Sequence, residues 1–218
     1  MSELSKRVVK YYFKQGFKLF AYVLLGIIPL GCVWAFMVYG NDYDWKRQLF
    51  RMLFGYCEWL VPYFIFCFSM QAPTWHDSMA MSMGARRKDV FCGNLIKQGT
   101  FALCSSFGYI LLILWSRQTE QMNHVLFLLA ISLASGSVGH FLGYKVYRYG
   151  RKVMLISVIA FLITYSVVRV SYTINYYHMA KMFSFEKNIF AYILGFIILF
   201  VVMEILIYKA NKKCVVIM

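Results

Sequence analysis

The chain alternates between long apolar runs and shorter polar segments rich in lysine and arginine. Six runs are about 20 residues long or slightly shorter, and each predicts a helix that crosses the hydrocarbon core of a bilayer. Because these runs take up most of the 218 residues, we expect one all-α transmembrane domain over 1–218. The predicted spans are 19–39, 51–70, 99–115, 125–144, 153–170 and 189–208.

Two polar segments outside the spans also have structural predictions. Residues 1–18 interleave Lys6, Lys10 and Lys14 with apolar side chains, which predicts an amphipathic helix lying flat in the membrane interface. Residues 171–188 form the longest predicted outer connection and are aromatic and only moderately polar. We expect this connection to dip back into the bilayer as a re-entrant element covered by protein.

Composition supports lipid as the solvent of this chain. Hydrophobic residues make up 61% and charged residues 15%, and the mean hydropathy is +0.60. The net charge of +14 comes from cations placed between the apolar runs, as in the cytoplasmic loops of membrane proteins. This pattern predicts both termini in the cytoplasm and disfavours a nucleic-acid partner.

Motifs for metal and nucleotide binding are missing from the sequence. The six cysteines have no CxxC spacing, and the four histidines form no HExxH motif, so we expect no metal site. No GxxxxGK[ST] loop occurs, so the chain is predicted to hold no ATP and not to act as an enzyme.

The polar stretch 71–98 carries most of the functional argument. Pro73 is expected to end the second span, and a short cytoplasmic helix is predicted over 76–83. Gly84 suits the left-handed residue after that helix, and Asp89 suits the cap of the next helix. The short helix would therefore lie between two spans, parallel to the membrane.

That short helix presents methionines beside a tryptophan, and methionine suits adaptable protein contacts. From the residues alone, docking on a partner and folding back onto lipid phosphates are equally good interpretations. The predicted docking residues are Trp75, His76, Asp77, Met79, Met81, Met83, Arg86, Arg87 and Lys88.

The segment 79–96, which reads MAMSMGARRKDVFCGNLI, resembles ABC-2 type permeases, the membrane subunits of one class of ATP-driven transporters. The resemblance implies that 76–83 is a coupling helix docking on an ATPase subunit and that 1–18 is an elbow helix. It also implies a homodimer of permeases with two ATPase subunits, which would bind ATP and Mg. Small exporters of bacterial peptides, such as bacteriocins and phenol-soluble modulins, are the most similar members, which implies a bacterial plasma membrane.

Charged side chains inside the spans predict a gate near the outer mouth. Glu58 in the second span needs a partner or a wet cavity, and we expect it to pair with Arg51 or Arg169. A structural ion pair and a substrate contact both fit this position. Glu204 is expected to reach the headgroups, and His140 is expected to be a hydrogen-bonded packing residue.

Small residues of the fourth span predict close helix packing, within or between subunits. The residues that carry this prediction are Gly136, Gly139 and Gly143.

Three other classes of protein compete with the permease interpretation. A stand-alone secondary transporter or channel is the main rival, although polar residues at mid-membrane are scarce in the predicted spans. An intramembrane hydrolase would need Ser135 or Ser137 to be activated by His140, with nucleophile and base on one helix. A membrane scaffold without transport activity is the third.

Overall fold

The computed structural model describes residues 3–39, 45–82, 84–117, 119, 122–150, 152–160, 162–163 and 185–213, and the regular elements in these ranges are α-helices. They are α1 (Glu3–Tyr39), α2 (Trp45–Ser82), α3 (Arg87–Ser116), α4 (Met122–Tyr149), α5 (152–160 and 162–163) and α6 (Phe185–Lys213).

Five of these helices contain stretches long and apolar enough to cross a membrane. This agrees with an all-α membrane protein. The predicted fifth span, 153–170, coincides with α5 at its start and continues outside the described residues, so this span, and with it the total of six, stays a prediction. The predicted connection 171–188 also lies outside them up to Phe185, where α6 begins. The five stretches are Ser5–Val33, Met52–Ser82, Arg87–Ser116, Met122–Tyr149 and Ile189–Ala210.

The predicted interfacial helix at 1–18 is not a separate element. It forms the first half of α1, a single helix of 37 residues that is about 55 Å long at 1.5 Å per residue. The amphipathic pattern is present, and part of its apolar side is covered by protein, while Phe13 and Phe17 stay exposed. Val8 and Tyr12 pack with Ala80, Ala85 and Val90, which lie where α2 gives way to α3.

The prediction that Pro73 ends the second helix was wrong, as was the separate short helix over 76–83. α2 runs without interruption from Trp45 to Ser82 and includes both Pro62 and Pro73. A proline inside a helix costs about 3 kcal/mol. The Pro73 ring packs against α4 at Gly143, where a Cβ would be 2.9 Å from the ring Cδ.

Glycines of α4 determine how closely this helix approaches α2. A Cβ on Gly139 would collide with the Phe66 carbonyl oxygen, and one on Gly143 would collide with the Met70 carbonyl oxygen. Gly136 faces Ile65 of α2 and the Gln98 side chain of α3, with 3.2 Å to each from a Cβ built there. The small residues of α4 therefore pack within the chain.

The helix ends meet in two groups. At one end, which we call the basic end, α1 and α3 begin and α2, α4 and α6 end. Lysine and arginine side chains are exposed there, including Lys6, Lys10, Arg86, Arg148 and Lys209. Near the opposite, far end, α2 contacts the end of α3 and the start of α4.

Candidate functional site

The connection between α2 and α3 at the basic end is a rigid turn. Gly84 has a positive φ of 87°, and its N–H donates to the Met81 carbonyl at 2.9 Å while the Ala85 N–H donates to the Ala80 carbonyl at 3.1 Å. This pair of bonds is a Schellman motif, which satisfies the last carbonyls of α2. Gly84 therefore has the left-handed conformation predicted for it.

The first turn of α3 is closed by Asp89. Its Oδ2 accepts the backbone N–H of Arg86 at 3.3 Å, and its Oδ1 accepts the Ser5 hydroxyl at 2.9 Å. A carboxylate in this position also suits the positive end of the helix dipole. Asp89 takes part in the cap, but from the third position inside the helix and not as the N-cap that was predicted, because α3 begins two residues earlier, at Arg87. Its contact with Ser5 also links the start of α1 to the turn.

The tip, defined as residues 74–82 and 84–90, exposes part of the predicted docking set. Trp75 is 74% exposed and Met79 is 54% exposed. His76 and Met81 are half-buried, and the Met83 side chain lies outside the described part of the chain. Two apolar side chains and three cations therefore face outward from one turn, the cations being Arg86, Arg87 and Lys88.

Asp77 is not part of the exposed surface, which corrects its place in the predicted docking set. It is 2% exposed and accepts the Tyr12 hydroxyl of α1 at 2.9 Å and the Asn94 amide of α3 at 2.7 Å, both on Oδ1. Its Oδ2 lies 3.4 Å from His140 Nε2 of α4. Asp77 thus links α2 to three other helices.

His140 has the role expected of it, a hydrogen-bonded residue in the packed interior. It is 1% exposed, contacts Asp77, and its ring lies 5.2 Å from that of Tyr144. The expectation for Glu204 was wrong. Glu204 is 9% exposed and lies 2.6 Å from the Ser137 hydroxyl of α4.

Lys97 of α3 adds a buried cation to this region. It is 5% exposed, and its Nζ has no hydrogen-bond partner within the described residues. The Nζ lies 6.0 Å from the centre of the Tyr12 ring and interacts electrostatically with Asp77. A buried ammonium without hydrogen bonds is costly, so the attraction to Asp77 opposes this cost.

At the far end, Glu58 lies between two partners that the sequence interpretation did not name. Its Oε1 is 2.9 Å from His124 Nδ1 of α4 and accepts the Tyr109 hydroxyl of α3 at 3.0 Å. The Arg51 side chain and all of Arg169 lie outside the described part of the chain. Pairing of Glu58 with either arginine therefore stays a prediction.

Sequence reasoning missed the partners of Asp77 for a simple reason. The third span was predicted to begin at residue 99, so Asn94 and Lys97 were placed in the cytoplasmic segment before it, whereas α3 is one continuous helix from Arg87. The spacing of Asn94 and Gln98, four residues apart on one helix face, was the signal that would have placed them together.

The geometry at α4 also bears on the hydrolase alternative. Ser137 Oγ lies near oxygens of Glu204 and Gln98, and His140 Nε2 lies near Asp77. These contacts do not assemble the serine–histidine pair that a nucleophile needs. Within the described residues, no group of three or more His, Cys, Asp or Glu side chains is placed to hold a metal ion.

Comparison of the chain with protein-family models, with curated proteins and with solved structures gives no match, so the site has to be interpreted from its own geometry.

Proposed function

We propose that this chain is the membrane-spanning permease subunit of an ATP-driven exporter of the ABC-2 type. Six spans, cytoplasmic termini and a bacterial plasma membrane belong to this proposal. The single observation that supports it best is the tip, which presents exposed Trp75 and Met79 beside three exposed cations. Exposed apolar side chains at the end of a helix suit a protein partner.

The tip would dock on an ATPase subunit, with two ATPases and two permease chains in the assembly. ATP and Mg would be bound by the partner, which moves when the nucleotide is bound or hydrolysed. Asp77 joins α2, whose end forms the tip, to α1, α3 and α4. Displacement of the tip would therefore move four helices together. Such a rigid-body change is a shift in population between two conformations of the assembly, driven by the different affinities of these conformations for ATP.

The substrate class in this proposal is a peptide or another amphipathic molecule. It depends on the resemblance to small exporters of bacterial peptides. Transport in proteoliposomes that contain both subunits would test it, with labelled amphipathic peptides as substrates and ATP omitted in the control.

Co-purification tests the docking step. A stand-alone ATPase subunit encoded beside this chain should co-purify with it, and Trp75→Ala combined with Met79→Ala should abolish both co-purification and substrate-stimulated ATP hydrolysis. Trp115→Ala is the matched control, because Trp115 is 77% exposed but lies at the end of α3 remote from the tip. Unchanged ATPase coupling in the double variant would refute docking at the tip.

Labelling tests the proposed orientation of the tip. Ser82 is exposed at the end of α2, and Ser82→Cys in a background without the six native cysteines provides one accessible thiol. A membrane-impermeant maleimide should label it only after the cells are opened. Labelling in intact cells would place the tip outside and exclude the permease proposal.

A stand-alone transporter or channel is the second candidate, and one observation favours it. The bundle buries polar side chains, namely Asn94, Lys97, Gln98 and Ser105 of α3 and Ser132, Ser137 and His140 of α4. Buried polar side chains in membrane helices often mark ion or proton routes. Transport by the purified chain without any ATPase would favour this candidate over the permease.

A further inference from the structure

Ser137 connects α3, α4 and α6 about one helical turn further from the tip than His140. Its Oγ lies 2.6 Å from Glu204 Oε1 and 3.2 Å from Gln98 Oε1. All three side chains are buried, Glu204 being the most exposed at 9%. Both neighbouring atoms are oxygens, whereas a serine hydroxyl has one proton to donate. One proton cannot serve both contacts, so a second donor is needed, and it is either a proton on Glu204 or the NH₂ of Gln98 with its amide turned.

A proton on the Glu204 carboxyl supplies that donor. Glu204 O–H then donates to Ser137 Oγ, and the Ser137 hydroxyl donates to Gln98 Oε1. The distance of 2.6 Å suits a hydrogen bond between two oxygens. If Glu204 loses the proton, Ser137 must donate to the carboxylate, and the Gln98 amide must turn so that its NH₂ donates to Ser137. The two states differ by one proton and one amide rotation.

Burial, and not the neighbouring charge, favours the protonated state of Glu204. His140 of α4 is the titratable group that interacts with it electrostatically, and His140 itself contacts Asp77 of α2. Asp77 in turn interacts with Lys97 of α3. An ionised Glu204 would add a second buried carboxylate to that of Asp77, and a buried charge without a hydrogen-bonded ionic partner is costly.

The remaining titratable side chains described in this region contact or interact with Asp77, Lys97 or His140, and not with Glu204. Tyr12 of α1 donates to Asp77, while His76 of α2 interacts with Asp77 and Lys97. Tyr144 of α4 stacks beside His140. On α6 itself, Lys209 is exposed five residues beyond Glu204. The described residues thus give Glu204 no direct cationic partner other than a protonated His140.

We propose that Glu204 is a proton-binding site, occupied at neutral pH and coupled to rotation of the Gln98 amide. The proton completes the hydrogen-bond chain from α6 through Ser137 to α3, and its release would weaken the polar link of α6 to α4. This inference goes beyond the proposed function and does not depend on an ATPase partner.

Carbodiimide labelling of the full-length protein in membranes tests the proposal. Dicyclohexylcarbodiimide is an apolar reagent that adds to protonated carboxylic acids, and mass spectrometry locates the adduct. We expect an adduct at Glu204 at neutral pH that decreases as the pH is raised and is lost in Glu204→Gln. Glu58→Gln, which removes the half-exposed carboxyl at the far end, should keep it. A chain without an adduct at Glu204, or with labelling independent of pH, would overturn the proposal.

Infrared spectroscopy gives a second readout that does not require reagent access. The spectrum should contain a carboxylic-acid C=O band at neutral pH that disappears in Glu204→Gln, whose amide has nearly the same shape and keeps a donor for Ser137. In Ser137→Ala the band should move to higher frequency, because the O–H loses its acceptor. A band that persists in Glu204→Gln, or that is unmoved in Ser137→Ala, would contradict the assignment.

Discussion

Two histidine–carboxylate pairs lie near opposite ends of the same bundle, and they differ in burial. At the basic end, the side chains of His140 and Asp77 are 1% and 3% exposed and lie 3.4 Å apart. At the far end, those of His124 and Glu58 are 20% and 26% exposed and lie 2.9 Å apart. The more buried pair has the longer contact and additional hydrogen bonds from Tyr12 and Asn94.

The comparison shows that the distance between the two side chains does not by itself predict which pair contributes more to stability. No water can replace a hydrogen-bond donor that a buried carboxylate loses. Each hydrogen bond to Asp77 is therefore expected to contribute to the stability of the fold. A half-exposed carboxylate such as Glu58 can recover hydrogen bonds from solvent or headgroups. The basic end is therefore expected to be fixed in one arrangement, and the far end to tolerate change.

The largest expected effect is the loss of Asp77. Asp77→Ala leaves three buried donors without their acceptor and should reduce the free energy of unfolding by about 3–5 kcal/mol. Glu58→Ala is the matched variant and should cost about 1 kcal/mol or less. Reversible unfolding in mixed micelles measures both. An equal or larger loss for Glu58→Ala would reverse the comparison.

Single hydroxyl groups give a finer version of the same comparison. Tyr12→Phe removes one donor from buried Asp77 and should cost about 1.5–3 kcal/mol, since bonds to charged groups fall in this range. Tyr109→Phe removes one donor from Glu58 and should cost about 0.5–1 kcal/mol, no more than Glu58→Ala, because the Glu58 carboxylate is partly open to solvent. The two free energies of unfolding should differ in this direction, and similar values would show that burial does not govern the difference.

Helix contact at the basic end is tested by adding one carbon. Gly139→Ala places a Cβ against the Phe66 carbonyl oxygen and should destabilise the protein by about 1–3 kcal/mol through overpacking. Gly195→Ala on α6 is the control, because a Cβ there has no atom within 4 Å. That control should be neutral or stabilising by about 0.5–1 kcal/mol, as in an ordinary helix.

The smallest effect is expected at His124. His124→Gln should change the free energy of unfolding by less than about 1 kcal/mol, because its contact with Glu58 is partly open to solvent. His140→Gln should cost more, since its ring is buried between Asp77 and Tyr144. Equal stabilities of the two variants would argue that the pairs are equivalent.

Local sequence signals predicted some features correctly, but they failed where the structure depends on contacts between residues distant in the sequence. The left-handed Gly84 and the capping Asp89 followed from backbone chemistry within a few residues. The end of α2 did not, because the helix continues through Pro73 to Ser82 and packs there against a glycine 70 positions later in the sequence. The burial and hydrogen bonding of Asp77 also depend on contacts with three other helices.

The sequence by itself determined that this is an all-helical chain with several spans long and apolar enough for a membrane, because hydropathy and helix length are local properties. It also determined which end of the bundle is basic. Only the tertiary structure decided which polar residues are buried together. Asp77, Lys97 and Glu204 look alike as isolated charges in the sequence, and their surroundings differ because packing places each beside different helices.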